Sequence, residues 1–297
     1  MMNHSGTTRK PRATFSTDSR TRLLRLEFDA PRSWKELSQD ELRWVLRQVV
    51  LWGDSLTVKT LMLVHFCGWH VIRHTRFGWS LWAKVWYEER NRWISRKFYL
   101  SAAEIQSLTK EFAFVDQLEG VDCRLDAVRG LHAANVYLQK GFPFEYYTQA
   151  EKYYQGYISS QNEELLDSLG AWLYLDRDGH AAATGRAVDD DGHKVEEFSL
   201  EPWERLSVLA WFSGLKNILA AHFPYLFRKP VEDPDELLSS PRPTDYMEIY
   251  DAELRALTGG DITKEKEVLA METWRALTEL NAKARDAEEL ERIRKRK

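Results

Sequence analysis

Cysteine is nearly absent: Cys67 and Cys123 are the two in 297 residues. Two thiols cannot build a disulfide framework and sit most comfortably in a reducing compartment, so a cytoplasmic chain is expected. No run of about 18 apolar residues occurs, which argues against a spanning helix and against a membrane partner. The opening MMNHSGTTRKPRATFSTDSR lacks the apolar stretch of a signal peptide. A Walker A loop, a Gly-rich dinucleotide loop, a G-x-S-x-G elbow and an H-E-x-x-H pair are all missing, so familiar catalysis has no foothold and no cofactor is expected.

What is present is charge, unevenly spread. Residues 1–100 hold 18 Lys and Arg against 9 Asp and Glu, and residues 101–297 hold 24 against 37. Such a division creates a positive region that attracts an anionic partner, or two regions that attract each other. Hydrophobic residues make up 43% of the chain and charged residues 30%, enough apolar surface for a real core.

Periodicity places the elements. Residues 1–21 are polar and basic without a clear period, which predicts a disordered tail. Leu24, Leu26 and Phe28 alternate with Arg25 and Glu27, the pattern of a half-buried strand. Ser38 with Glu41 forms a capping box for a helix that Gly53 stops, and Asp54 or Ser55 caps the next, through about Cys67. The period then changes from 3.6 to 2. Trp79, Leu81, Ala83, Val85 and Tyr87 share one face of a strand, Ser80, Trp82, Lys84 and Trp86 the other. With 92–100, and 70–73 as a third strand, they predict an antiparallel Trp-rich meander over about 69–100. Ser101 with Glu104 caps the following helix, and helices run on to about residue 222, interrupted by turns at Asp178-Gly179 and Asp191-Gly192.

Pro230, Pro234, Pro241 and Pro243 stand among acidic residues and serines, so 229–244 reads as a linker. Beyond it, 245–297 reads as a C-terminal helical arm, broken at Gly259-Gly260, with Val268, Met271, Trp274 and Leu277 on one stripe. The fold class is therefore α+β, predominantly helical, with a main domain over 22–228, a small meander and the arm. A single stripe must be covered by something, and those four residues are the candidate partner-binding surface.

Two further constellations suggest chemistry. Trp82, Trp86 and Trp93 lie among Lys84, Arg92, Arg96 and Lys97. Bases stack on rings while phosphates meet cations, so this pattern points to single-stranded nucleic acid; the plain alternative is that a helix covers the rings. The pattern D-x-D-G-H occurs twice, at Asp176-Asp178-His180 and Asp189-Asp191-His193. Carboxylates beside imidazole can hold a metal and support hydrolysis, but neither segment supplies a calcium loop's ligand series, and polar hairpin turns explain both. His65, Cys67, His70 and His74 are dense enough to invite zinc, without the ligand spacing it needs.

The segment Phe28-Asp29-Ala30-Pro31-Arg32-Ser33-Trp34-Lys35-Glu36-Leu37-Ser38, continued by Leu42-Arg43 and the helix Leu61-Met62-Leu63-Val64-His65-Phe66, resembles uncharacterised proteins of phage-like regions in bacterial genomes. So does Leu257-Thr258-Gly259-Gly260-Asp261-Ile262-Thr263 with the helix to Leu280. The resemblance covers about a third of the chain and implies a phage or prophage morphogenesis component, such as a tail assembly factor. A non-enzymatic interaction protein with structural or assembly proteins as partners is the first expectation, single-stranded nucleic-acid binding the second, and a metal-dependent hydrolase the third.

Overall fold

The computed structural model describes residues 13–17, 24–28, 30–87, 90–227 and 246–295. It divides the chain into two compact units, Met1–Leu118 and Glu119–Lys297. The boundary therefore falls inside the expected main domain 22–228, while the expected linker, 229–244, lies outside the described residues. Composition gave no hint of a joint at 118, because Gln117-Leu118-Glu119-Gly120 carries none of the Pro and Ser enrichment that marks linkers.

In the first unit, β1 (Ala13–Thr17) and β2 (Leu24–Phe28) form an antiparallel pair, with Ala13 opposite Phe28 and Thr17 opposite Leu24. This corrects the expectation of disorder over 1–21 for its described part. Thr14, Phe15 and Thr17 favour extended backbone, and a partner strand supplies the hydrogen bonds an isolated segment lacks. The helix α1 (Gln39–Trp52) starts at the Ser38–Glu41 capping box and stops at Gly53, whose φ of 65° suits glycine. The next, α2 (Ser55–Cys67), is capped by Asp54, which accepts the Thr57 amide at 2.9 Å.

The meander follows as β3 (Trp69–Thr75), β4 (Gly78–Tyr87) and β5 (Arg92–Ser101), all antiparallel. β1 lies parallel to the far end of β4, with Thr14 opposite Trp86. The strand alternation is realised: Leu81, Ala83 and Val85 are wholly buried. The helix α3 (Ala102–Thr109), itself opened by the Ser101–Glu104 capping box, packs on β4 and β5, and α2 packs on β3. Leu42, Val45 and Leu46 of α1 and Val58, Met62 and Phe66 of α2 complete this core.

The second unit is mainly helical: α4 (Phe144–Ser160), α5 (Glu164–Leu173), α6 (Pro202–His222), α7 (Tyr246–Thr258), α8 (Glu265–Leu269) and α9 (Thr273–Lys295). A small antiparallel sheet of β6 (Ala127–Val128), β7 (Leu131–Ala133) and β8 (Tyr174–Leu175) lies beside them. At the centre Trp211 is fully buried, its indole N–H donating to the Val136 carbonyl at 3.0 Å. Gly214 on α6 allows close backbone approach, since a Cβ there would stand 2.6 Å from the Gly120 Cα. Arg205 clamps Asp167 with two hydrogen bonds, of 2.9 and 2.7 Å, tying α6 to α5.

The expected arm is part of this unit. Val268, Ala276, Leu277 and Leu280 are buried, and α9 packs on α4 and α7. Backbone hydrogen bonds join Phe144 to Met271 (2.7 Å) and Thr273 to Phe142 (3.0 Å), and the buried Thr273 hydroxyl also donates to the Phe142 carbonyl. Covering a helix's apolar stripe is what makes the helix stable, and here the unit's own helices do the covering. Among the described residues no helix is long and apolar enough to cross a membrane.

Candidate nucleic-acid interface

The pleat of β4 puts successive side chains on opposite faces. Leu81, Ala83 and Val85 turn to the helices, so Ser80, Trp82, Lys84 and Trp86 turn away from them. Side chains directly opposite on neighbouring strands share a face, and the register therefore names the rest of this open surface. On β5, Tyr99 stands opposite Ser80, Lys97 opposite Trp82, Ser95 opposite Lys84 and Trp93 opposite Trp86. On β3, His70 stands opposite Trp82 and Arg73 opposite Ser80.

His70 and Arg73 are three residues apart and would face opposite ways in a regular strand. The register shifts between Val71 and Arg73, and a bulge of this kind adds one residue and restores both side chains to one face.

The rings on this surface are arranged rather than scattered. His70 and Trp82 stack flat, centroids 4.1 Å apart and planes 8° apart, while Trp86 and Trp93 meet edge to face at 5.5 Å. Trp93 is 50% exposed and Tyr99 55%, with Lys84, Lys97 and Arg73 also exposed. β3, β4 and β5 contain no Asp or Glu, so no carboxylate among their residues offsets the three cations. Trp93 and Lys84 also border a recess of about 570 Å³ beside Ile94 and Ser95.

Five of the seven residues expected at such a site thus share the face: Trp82, Trp86, Trp93, Lys84 and Lys97. Arg92 and Arg96 do not. They pair with Tyr87 and Ala83, which places them on the side of the pleat that carries the helices, although both are exposed. Sequence proximity had grouped them with the tryptophans, but side-chain direction alternates with every residue. His70 stood out in the sequence only as a zinc-type ligand, and Tyr99 not at all. The signal that could have found them is the cross-strand register, which follows once the turns at Arg76-Phe77 and Asn91 are placed; Asn91 has a φ of 44°. Among the described residues no helix is seen to cover Trp82 and Trp86, which are half-buried, while the fully buried side chains of β4, Leu81, Ala83 and Val85, lie on its other face.

The other candidate residues have local duties. His65 stacks on Trp44 at 3.9 Å and His74 meets Trp79 edge on, so these histidines and His70 each lie on a different tryptophan rather than converging on a metal. Burial lowers the His65 pKa, with Glu41 pulling the other way. Burial also pushes the Cys67 and Cys123 thiols up to about 12, leaving both as inert apolar side chains.

In the two D-x-D-G-H turns the ligand-type atoms of Asp176, Asp178 and His180, and those of Asp189, Asp191 and His193, do lie close together. The geometry is that of a self-capped hairpin turn used twice. Asp176 accepts the amides of Asp178 (2.9 Å), His180 (2.8 Å) and Val188 (3.2 Å); Asp189 accepts those of Asp191 (3.0 Å) and His193 (2.7 Å). Burial raises the Asp176 pKa, but the amides and the His180 ring outweigh it and leave that carboxyl below the usual range. Arg177 of the first turn bonds Asp190 of the second at 3.0 and 2.7 Å, and His132 meets the same carboxylate at 3.1 Å. The turns are thus linked to each other, with the leading carboxylate of each committed to its own backbone.

The proposed partner-binding stripe is also engaged. Val268 and Leu277 are buried, Trp274 donates to the Tyr137 carbonyl at 2.6 Å, and its ring contacts His222 and Phe223. Val268 and Leu277 thus hold α8 and α9 in the second unit, while Met271 and Trp274 are half-exposed. Comparison with models of protein families matched none, and comparisons with curated proteins and with solved structures likewise found no match.

Proposed function

We propose that the first unit binds single-stranded nucleic acid on the open face of its sheet. The observation that carries this is the gathering of Trp82, Trp86, Trp93 and Tyr99 with Arg73, Lys84 and Lys97 on one face of β3, β4 and β5, three strands that contain no Asp or Glu. Bases of any sequence stack on aromatic rings, and phosphates take the cations between them, so the predicted binding is sequence-tolerant and falls steeply with salt. Fluorescence anisotropy with a labelled oligothymidylate tests it. Trp82→Ala or Trp86→Ala should each weaken binding by about 1–3 kcal/mol, and Lys84→Gln should reduce the slope of log K against log salt by about 0.7. Binding that is indifferent to salt and to both tryptophans would sink the reading.

Assembly of a virion or tail part is a second reading, supported by the resemblance of residues 28–43 and 257–280. Of the docking residues Val268, Met271, Trp274 and Leu277, the half-exposed Met271 and Trp274 remain accessible to a partner, while Val268 and Leu277 are buried.

A further inference from the structure

The second unit holds a cavity of about 330 Å³ between α4, α6 and α7, near the lower end of the range for small-molecule sites. Its floor carries an unusual group. Glu151 of α4 is only 9% exposed. One of its oxygens, Oε1, accepts Lys216 Nζ at 2.8 Å and Gln155 Nε2 at 2.7 Å, while the other, Oε2, is buried and receives no hydrogen bond from any described residue. Buried carboxylate oxygens are normally satisfied, so an orphan calls for a donor. The nearby Tyr246 hydroxyl does not supply one, because it donates to the Thr148 carbonyl.

A second carboxyl, Glu253 of α7, lines the same cavity. Burial pushes its pKa up to about 7, the Glu151 charge adds to this, and Lys216 opposes it. Among the described residues Lys216 is the one cation lining the cavity, and it is already bonded to Glu151 and placed over the Phe227 ring at 4.6 Å. Two carboxyls thus share one ammonium, and apart from Gln155 the remaining described lining is apolar or aromatic, including Tyr147, Ile249 and Phe227. An anionic ligand would meet like charge. A bare metal ion would find too few oxygen ligands and a wall of rings.

We propose that this cavity is a binding site for a small organic cation, a primary ammonium or guanidinium. Its N–H groups donate to Glu151 Oε2 and to the Glu253 carboxylate, and its hydrocarbon part lies against the rings and Ile249. Rings beside carboxylates suit such a ligand, because the ring faces attract cations as well as apolar chains.

Isothermal titration calorimetry on the full chain tests this, with n-butylammonium and agmatine as cationic probes and pentanoate and pentanol as controls of similar shape. Saturable binding of at least one cationic probe at a single site is expected, with neither control binding. Glu151→Gln should lower that affinity at least tenfold. Glu253→Gln, a milder change on the half-buried α7, should lower it severalfold and remove the proton release that binding otherwise causes. Absence of saturable binding by both cations overturns the proposal, as does unchanged affinity in either variant. If Glu151→Gln fails to fold, the wild-type probes and Glu253→Gln still decide. Oligonucleotide binding should be untouched by either substitution, which separates this site from the sheet face.

Discussion

The two units use the same residue types in opposite ways. The first has 19 Lys and Arg against 12 Asp and Glu, and exposes aromatic rings on a sheet; the second has 23 against 34, and buries them among helices. Trp211 is 0% exposed with its N–H satisfied by Val136, whereas Trp93 is 50% exposed. A sheet with helices on one side leaves the other side to water unless something covers it. A helix in a bundle has only a stripe to hide, and its neighbours hide it. The lesson is that a high tryptophan content says nothing about function until each ring is assigned to a face.

The sharpest way to break this comparison is to remove residues 246–297. The sequence alone reads them as an arm outside the main domain. With Val268, Ala276, Leu277 and Leu280 in the core, the expected outcome is loss of the second unit's cooperative melt in calorimetry, with oligonucleotide binding by the first unit retained. A truncated chain whose second unit still melts cooperatively would restore the arm to an appendage.

Next in size is the contrast between tryptophans. Trp211→Ala leaves a cavity in the second core and should cost about 3–5 kcal/mol. Trp93→Ala, on the open face, should change stability by less than about 1 kcal/mol. Denaturant titration of both variants checks this, and similar losses would show that the sheet face is also core.

The smallest effect sharpens the comparison by pH. Glu253 has a folded pKa raised to about 7, above an ordinary value near 4.5, with Glu151 and Lys216 as the charged groups acting on it. A carboxyl with a raised folded pKa favours the folded state at low pH. Its contribution is complete below about 4.5 and is lost as pH rises through 7, amounting to roughly 3 kcal/mol. The second unit should therefore melt lower at pH 8 than its Glu253→Gln variant does, and a variant with the same pH profile as wild type would remove Glu253 as the cause.

Much of the local architecture could be read from residues close in the chain. Ser38 with Glu41 and Ser101 with Glu104 form their capping boxes, Gly53 ends its helix, and the alternation from Trp79 to Tyr87 becomes a strand with one buried face. The candidate surface was legible in part. Trp82, Trp86, Trp93, Lys84 and Lys97 came from composition and period, but Arg92 and Arg96 were assigned to the wrong side because period 2 was not carried across the hairpin.

Caps, turns and amphipathic periods depend on atoms within about four residues of one another, so the sequence by itself determined the α+β class, the starts of α1, α2 and α3 and the inward face of β4. Tertiary structure alone decided which side each flanking strand presents, through the register and the bulge between Val71 and Arg73. It also decided that β1 pairs at all, that the division falls after Leu118, and that α9 covers its own unit. The physical reason is common to all of these. An apolar stripe or an unpaired strand edge states a need that many surfaces satisfy equally well, and the partner is chosen by the packing of segments far apart in the chain.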